Sequence, residues 1–207
     1  MQTWTILHLI AIAWIFIFIH KIKKINSQKL FFSYSILSLA GWCFFDFLVA
    51  NSPNIETANM FYAFSMTMIS LAAFFFYLTV CFFTHVKKVD VLAAASPLIL
   101  NIPRVLYQKI TPYQYGYQIT YSFLDYLWMA LIIFTLTASA VRIILLSSVI
   151  QNKVLEKKMK LFAITLLMIP YASVPSTILT NYFGMPDITP IIAALMLGFS
   201  YPLFGGE

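Results

Sequence analysis

Long apolar runs separated by short polar connectors dominate the chain. A helix needs about 20 apolar residues to cross the hydrocarbon core of a bilayer, and runs of this kind occur seven times. Residues 108–119 and 147–160 are among the polar connectors. The fourth and seventh runs are short, and each is interrupted by two prolines. The pattern predicts seven transmembrane helices at about residues 4–20, 30–50, 58–84, 91–107, 120–146, 161–180 and 188–204.

The composition also favours a membrane protein. Of the 207 residues, 61% are hydrophobic and only 10% are charged, whereas soluble domains carry roughly 25% charged residues. A bilayer accepts apolar helix exteriors, provided that the backbone polar groups are paired within each helix. With no internal repeat in view, residues 1–207 are expected to form a single all-α bundle, multi-pass in the plasma or inner membrane, with the lipid bilayer as its partner.

The positive charges predict the orientation. The net charge is +6, but the basic residues fall between apolar runs and form no patch on a soluble face, so nucleic acid is not an expected partner. An N-terminus outside places eleven Lys and Arg residues at the cytoplasmic side and leaves only Arg104 and Lys109 outside, as the positive-inside rule requires. The C-terminus is then cytoplasmic. The tyrosines that would form an interfacial belt at the outer edge are Tyr107, Tyr113, Tyr115, Tyr117, Tyr121 and Tyr182.

Residues suited to catalysis or metal binding are sparse. The chain has no nucleotide-binding loop, no zinc-protease motif and no paired carboxylates at helical spacing. Cys43 and Cys81 both lie within apolar runs, where cysteine behaves as a small buried hydrophobe. The three histidines fall on different predicted helices. We therefore expect no metal, no cofactor and no enzymatic activity in this chain.

Two carboxylates within apolar runs are the main candidates for a site. Asp46 and Asp125 each lie about five residues from the predicted outer end of a helix, roughly 7 Å below the outer boundary. One interpretation is structural: each carboxylate caps or hydrogen-bonds a neighbouring helix. The other is a shared outer-leaflet pocket, closed by Trp42, Tyr121 and Trp128, that binds a ligand or responds to protonation.

Two further features have a structural and a functional interpretation. Pro170 and Pro175 fall in the middle of the sixth run, where each removes a backbone donor and predicts a kink. The kink is a hinge only if the bent segment has two positions. The EKKMK segment at residues 156–160 is expected to be the cytoplasmic charge flank, with anionic-lipid recognition as the alternative.

Three stretches together resemble a known family. They are GWCFFDFLVANSP followed by ANMFYAF in helices 2 and 3, YQYGYQ before helix 5, and IPYASVPSTILTNYFGMPDITPIIAAL across helices 6 and 7. The chain is similar to the seven-helix N-terminal sensor region of bacterial and archaeal membrane histidine kinases, which also precedes diguanylate cyclase domains. Trp42 and Asp46 match the family's Trp-acidic pair, although the family often has Glu at the second position, and its basic-Gln pair at the start of helix 6 appears here only as KKMK.

The resemblance implies a signal-sensing input module, acting as a homodimer, with a kinase or cyclase output domain expected C-terminal to Glu207. A seven-helix transporter or channel is the alternative, although repeats, Pro-Gln motifs and midplane charges are not visible in the sequence. A retinal protein is excluded because the last helix has no lysine. An intramembrane enzyme would have to use Asp46 and Asp125 together.

Overall fold

A helical segment occupies each of the seven apolar runs. A computed structural model of the chain describes residues 5–20, 27–84, 88–113, 116–183, 185 and 188–204. Within these residues, the first six segments are single helices, and the last is a composite of two helices joined by a 3-10 turn, Leu197–Ser200. The helices are α1 (Thr5–His20), α2 (Ser27–Ala50), α3 (Ile55–Cys81), α4 (Lys88–Tyr107), α5 (Phe123–Ser148), α6 (Lys153–Phe183), α7 (Thr189–Met196) and α8 (Tyr201–Phe204).

Among the described residues, four helical stretches are long and apolar enough to cross a membrane. They are Lys29–Ala50, Ile55–Cys81, Phe123–Ser148 and Lys153–Thr180. α1 and the segment from α7 into the 3-10 turn are apolar but shorter, and α4 is not among the four. The all-α class is confirmed and a membrane protein is indicated, while the number of spans and the orientation stay predictions.

α6 begins eight residues earlier than its apolar run predicted. The connector before residue 161 is helical from Lys153, because Asn152 caps this end by accepting hydrogen bonds from the backbone N–H groups of Val154 (3.0 Å) and Leu155 (3.1 Å). Glu156 then pairs with Lys153 at 3.1 Å and Lys160 at 2.6 Å. The charged EKKMK segment therefore belongs to the first turns of the helix and not to a loop.

A β-hairpin replaces the connector that was expected between α4 and α5. Strand β1 (Lys109–Tyr113) pairs antiparallel with strand β2 (Gly116–Thr120), and the register sets Pro112 opposite Tyr117. Gln114 and Tyr115, part of the YQYGYQ element, lie outside the described residues. Ile110 is buried in contact with the fully buried Ala58 near the start of α3, so the hairpin packs on this end of the bundle.

Four phenylalanines from α2, α3, α6 and α8 pack at the other end. The rings of Phe32 and Phe204 are stacked with centroids 3.7 Å apart, and the Phe162 ring meets Phe204 edge-on at 5.0 Å. Phe76 lies 6.1 Å from Phe32, and all four side chains are buried. We call Phe32, Phe76, Phe162 and Phe204 the aromatic cluster. It attaches α8 to three of the long helices.

α2 and α3 pack closely along their length. A Cβ atom at Gly41 would come within 3.0 Å of the Met68 sulfur, so the glycine permits this approach. Small residues serve the same purpose in many membrane helix pairs, where van der Waals packing drives association. The close contact fixes Asp46, little more than one turn further along α2, against α3.

Candidate ligand cavity between the helices

A cavity of about 480 Å³ lies between the helices at the hairpin end of the bundle. Cavities of this size hold small-molecule ligands in many proteins. Every helical segment from α1 to α7 contributes to its wall, and Tyr117 of β2 contributes from the hairpin. Most of the wall is aliphatic or aromatic. Its charged and polar members include His8, Asp46, Tyr62, Arg104, Tyr121, Asp125, Tyr126 and Thr189.

All five residues predicted for an outer pocket line this one cavity. Asp46 and Trp42 reach it from α2, Asp125 and Trp128 from α5, and Tyr121 from the residues just before α5. The structure therefore brings together side chains up to 86 positions apart in the sequence. Ligand binding by these residues stays a prediction, since their geometry alone does not test it.

The two prolines predicted as a hinge occupy different surroundings. α6 is continuous across both positions. Pro170 is buried and lines the cavity, whereas Pro175 is exposed on the outside of the helix. Only Pro170 therefore couples the shape of α6 directly to the cavity.

Asp125 has a structural role that its position in the helix explains. It is the third residue of α5, where a carboxylate completes a capping box with Ser122. One carboxylate oxygen accepts hydrogen bonds from the Ser122 backbone N–H (2.7 Å) and hydroxyl (2.6 Å). The other lies 2.6 Å from Nε of Arg104. Both oxygens are thus occupied by neighbours, as the structural interpretation of Asp125 expected.

Arg104 is a charged residue of the cavity wall that sequence reasoning did not select. It was counted as an outside flanking charge, but its side chain is only 1% exposed and forms the ion pair with Asp125. A signal was present in the sequence, because Arg104 falls inside the fourth apolar run. A buried cation there needs a carboxylate partner, and Asp125 opens the next run.

A polar face on α4 positions the Arg104 guanidinium. Arg104 donates from Nη1 to Oδ1 of Asn101 at 3.2 Å, and Asn101 donates to the hydroxyl of Thr67 on α3 at 2.9 Å. One turn beyond Arg104, Gln108 donates to the carbonyl oxygen and the side-chain oxygen of Asn59, at 2.8 and 2.7 Å. Asn101 and Arg104 lie one turn apart on α4 and Gln108 directly follows the helix, so this end of α4 is held against α3.

Two aromatic rings flank the guanidinium of Arg104. Its central carbon lies 4.7 Å from the ring centroid of Trp128 and 5.5 Å from that of Tyr62, within the range of cation–π attraction. Trp128 is itself fixed, because its indole N–H donates to the hydroxyl of Ser70 on α3 at 2.9 Å. One face of the Trp128 ring is therefore covered by the Arg104 guanidinium, and the ring helps to hold Arg104 beside Asp125.

Asp46 differs from Asp125 in its surroundings. It is partly buried and accepts a short hydrogen bond from the fully buried Ser65 hydroxyl of α3. It thus hydrogen-bonds a neighbouring helix and lines the cavity as well. The two carboxylates expected to act alike are not equivalent.

Trp42 brings an unusual donor to the cavity. The side chain is only 3% exposed, yet its indole N–H has no hydrogen-bond partner within the part of the chain that the structure describes. Buried indole N–H groups normally find an acceptor. An acceptor on a molecule inside the cavity would satisfy this one.

The cavity wall carries ionisable side chains of both signs. Asp46 and Asp125 are its acidic residues, and Arg104, which pairs with Asp125, is a basic one. Among the described residues, no group of three or more His, Cys, Asp or Glu side chains could hold a metal ion.

Comparison of the chain with protein-family models, curated proteins and solved structures finds no match. The resemblance to histidine-kinase sensor regions therefore stays a prediction.

Proposed function

We propose that this chain is the membrane signal-sensing input module of a two-component histidine kinase-type receptor. It detects a small or membrane-partitioned signal near the outer leaflet and passes the change through α7 and α8 to a cytoplasmic output. The proposal includes seven spans, an outside N-terminus, a cytoplasmic C-terminus, a homodimer and an output domain beyond Glu207. The observation that carries it is the cavity, because all seven helical segments contribute to its wall.

A ligand in such a cavity is able to bias the whole bundle. A signal requires a ligand that binds two packings of the helices with unequal affinity. Any molecule that fills the cavity touches α6 at Pro170 and the start of α7 at Thr189. A change in cavity occupancy therefore acts directly on the two segments that lead toward the C-terminus.

The aromatic cluster supplies a physical connection from the cavity to the last segment. On α6, Phe162 lies eight residues before Pro170, about 12 Å along the helix. Its ring is 5.0 Å from that of Phe204 on α8. Because packed aromatic rings tolerate few intermediate arrangements, a shift of α6 at Pro170 would displace Phe204. This connection is what supports an output through the C-terminal segment.

A cavity-filling substitution tests the proposal without knowledge of the ligand. Residues 1–207 are fused to the dimeric catalytic core of a histidine kinase that lacks its own sensor, and autophosphorylation is measured in membranes. Ala50→Trp places a large ring in the cavity wall, whereas Val141→Trp on the exposed face of α5 is the matched control. The proposal expects a severalfold change for Ala50→Trp and none for Val141→Trp.

Two results would contradict the sensor proposal. One is equal autophosphorylation by the wild type and Ala50→Trp. The other is saturable solute flux in proteoliposomes that Ala50→Trp blocks, which would favour the transporter alternative. The coding sequence after residue 207 offers an independent check, since the proposal expects a kinase or cyclase domain there.

A further inference from the structure

We propose that the cavity takes up an uncharged, lipid-soluble ligand from the bilayer through an opening between α5 and α6. The ligand has an apolar body and a hydrogen-bond acceptor, such as a carbonyl oxygen, that pairs with the indole N–H of Trp42. The inference deepens the proposed sensory function by naming the ligand class and its route. It rests on that function only for the consequence of binding.

One side of the cavity lies at the surface of the bundle. Tyr126 and Val174 line the cavity although they are 59% and 42% exposed. In the same wall, Trp42 and Trp128 are only 3% and 5% exposed. The cavity therefore runs from a buried end at the two indole rings to an open side. The exposed residues that line the open side, here called the lateral opening, are Tyr126 and Ala130 on α5 and Val174 and Ile178 on α6.

The lateral opening belongs to the part of the bundle suited to a hydrocarbon environment. Its four residues fall within Phe123–Ser148 and Lys153–Thr180, two of the stretches that are long and apolar enough to cross a membrane. None of the four carries a charge. A charged group that entered here would lose its hydration without gaining a partner on the way, which is costly. The route therefore selects an uncharged ligand that already partitions into the bilayer.

The rest of the wall suits a small apolar body. Aliphatic and thioether side chains from three helices line the cavity, among them Met66 and Ile69 of α3, Ile132 and Leu136 of α5 and Ile169 of α6. The volume of about 480 Å³ is in the range of sites for drug-sized ligands. A bilayer phospholipid, with two long acyl chains and a headgroup, is larger than such a ligand. We therefore assign the cavity to a small lipid-soluble molecule and not to a bilayer phospholipid.

Trp42 provides the polar contact at the buried end. Its indole N–H has no hydrogen-bond partner within the described part of the chain. The other donors nearby are engaged, because Trp128 donates to Ser70 and Arg104 pairs with Asp125. A buried donor without an acceptor is unfavourable, and an acceptor on the ligand would remove this penalty. Trp42 therefore favours a ligand with a carbonyl group over a hydrocarbon of the same shape.

Matched competitors test the ligand class. The protein is reconstituted in nanodiscs of ether-linked lipids, whose chains carry no carbonyl group, and is labelled with a straight-chain ketone that bears a diazirine and an alkyne tag. Decan-2-one, decane and decanoate compete at equal concentration in the bilayer. We expect decan-2-one to compete about threefold or more better than decane, and decanoate to compete least. Equal competition by decane, stronger competition by decanoate or the absence of displaceable labelling would overturn the proposal.

Trp42→Phe tests the polar contact, because it keeps an aromatic ring and removes the donor. It should abolish the advantage of decan-2-one over decane and leave competition by decane unchanged. A retained advantage would overturn the Trp42 contact. A misfolded variant is recognised by loss of all labelling, and the wild-type protein then decides. Of its four indole N–H resonances, one should move downfield with decan-2-one and not with decane; no such shift would overturn the contact.

Two tryptophan substitutions test the route. Ala130→Trp narrows the lateral opening from α5, and Val174→Trp narrows it from α6. Both positions are exposed, so the fold should be retained. The control is Val141→Trp, at another exposed position of α5. We expect both opening variants to slow labelling severalfold and the control to leave it unchanged. Unchanged labelling in both opening variants would overturn entry between α5 and α6.

The source of the ligand and the signalling role are separated by two further arms. Nanodiscs of ester-linked phospholipids should give the same labelling as ether-linked ones. Weaker labelling in the ester lipids would assign the cavity to a bilayer phospholipid and overturn the proposal. Ketone binding without a change in kinase output of the fusion would contradict the sensory function and leave the ligand class intact. A charged, water-soluble compound that binds the cavity and alters the output would do the reverse.

Discussion

Nε of Arg104 on α4 lies 2.6 Å from a carboxylate oxygen of Asp125 on α5, with both side chains only 1% exposed. At the opposite ends of the same two helices the charges are exchanged: Arg142 of α5 pairs with Asp90 of α4 at 3.2 Å, and this pair is about one-third exposed. Each helix supplies one acid and one base. The buried pair forms part of the cavity wall, whereas the outlying pair ties the helices near the end that holds the aromatic cluster.

Removal of one member of the buried pair should be strongly destabilising. Arg104→Leu leaves the Asp125 carboxylate without its counter-charge, so we expect a loss of about 3 kcal/mol or more in the free energy of unfolding. Thermal unfolding in nanodiscs measures it. The control is Arg142→Leu, whose half-buried pair should cost less than about 1 kcal/mol.

The double variant Arg104→Leu/Asp125→Asn sharpens this test. It removes both charges, so it should recover part of the loss that Arg104→Leu causes. If the loss in the double variant equals the sum of the losses in Arg104→Leu and Asp125→Asn, the two groups do not interact.

Truncation of Phe204 should loosen the C-terminal segment. The ring is 2% exposed, stacks on Phe32 of α2 and meets Phe162 of α6, so Phe204→Ala removes contacts with two helices and is expected to cost about 3 kcal/mol. Phe199→Ala, at a side chain that is 47% exposed, is the control. Protease sensitivity near the C-terminus, compared in the two variants, reports the effect. Similar cleavage rates would mean that the aromatic cluster does not hold α8.

Cysteine labelling tests the predicted orientation and the crossing of α4. In a Cys43→Ser/Cys81→Ser background, single cysteines replace Asn51, Thr111 and Gln151, all exposed. With the N-terminus outside and α4 crossing the bilayer, a membrane-impermeant maleimide labels positions 51 and 111 on intact cells. Position 151 reacts only after permeabilisation. Protection of position 111 alone would remove α4 from the spans, and the reversed pattern would invert the orientation.

Pro170 should matter more than Pro175 for the motion of α6. Replacing Pro170 with Ala restores a backbone donor at the cavity wall and favours a straight helix. Spin labels at Leu155 and Tyr182, both exposed, give the distance along α6 by electron–electron double resonance. We expect Pro170→Ala to narrow the distance distribution and Pro175→Ala to change it less. Equal distributions in the wild type and both variants would contradict a hinge.

Much of the architecture could be predicted from hydropathy. The helical segments fall in the seven predicted runs because apolar runs of that length specify helices in any environment without water. The predicted element boundaries were wrong where side-chain capping and strand pairing, and not hydropathy, determine the local structure. Asn152 and Glu156 extend α6 through a charged segment, and antiparallel pairing organises residues 109–120 as a hairpin.

Five residues of the cavity wall were selected from the sequence, but the pairing of the charges was not. Asp46 and Asp125 were selected because a carboxylate within an apolar run is costly, and Trp42, Tyr121 and Trp128 as the aromatic residues near them; all five line one cavity. Single residues in a pattern do not reveal pairing. That Arg104 belongs to Asp125, while Asp46 has a hydroxyl as a partner, depends on how α3, α4 and α5 pack.

The sequence by itself determined the all-α class. The length and hydropathy of each apolar run are local properties, and they favour a helix because a helix pairs its own backbone polar groups. The tertiary structure alone decided how the helices share one cavity and which carboxylate pairs with Arg104. These depend on contacts between residues distant in the chain, such as Arg104 with Asp125 and Ser65 with Asp46, and ionic pairing is fixed by distance in space and not by spacing in sequence.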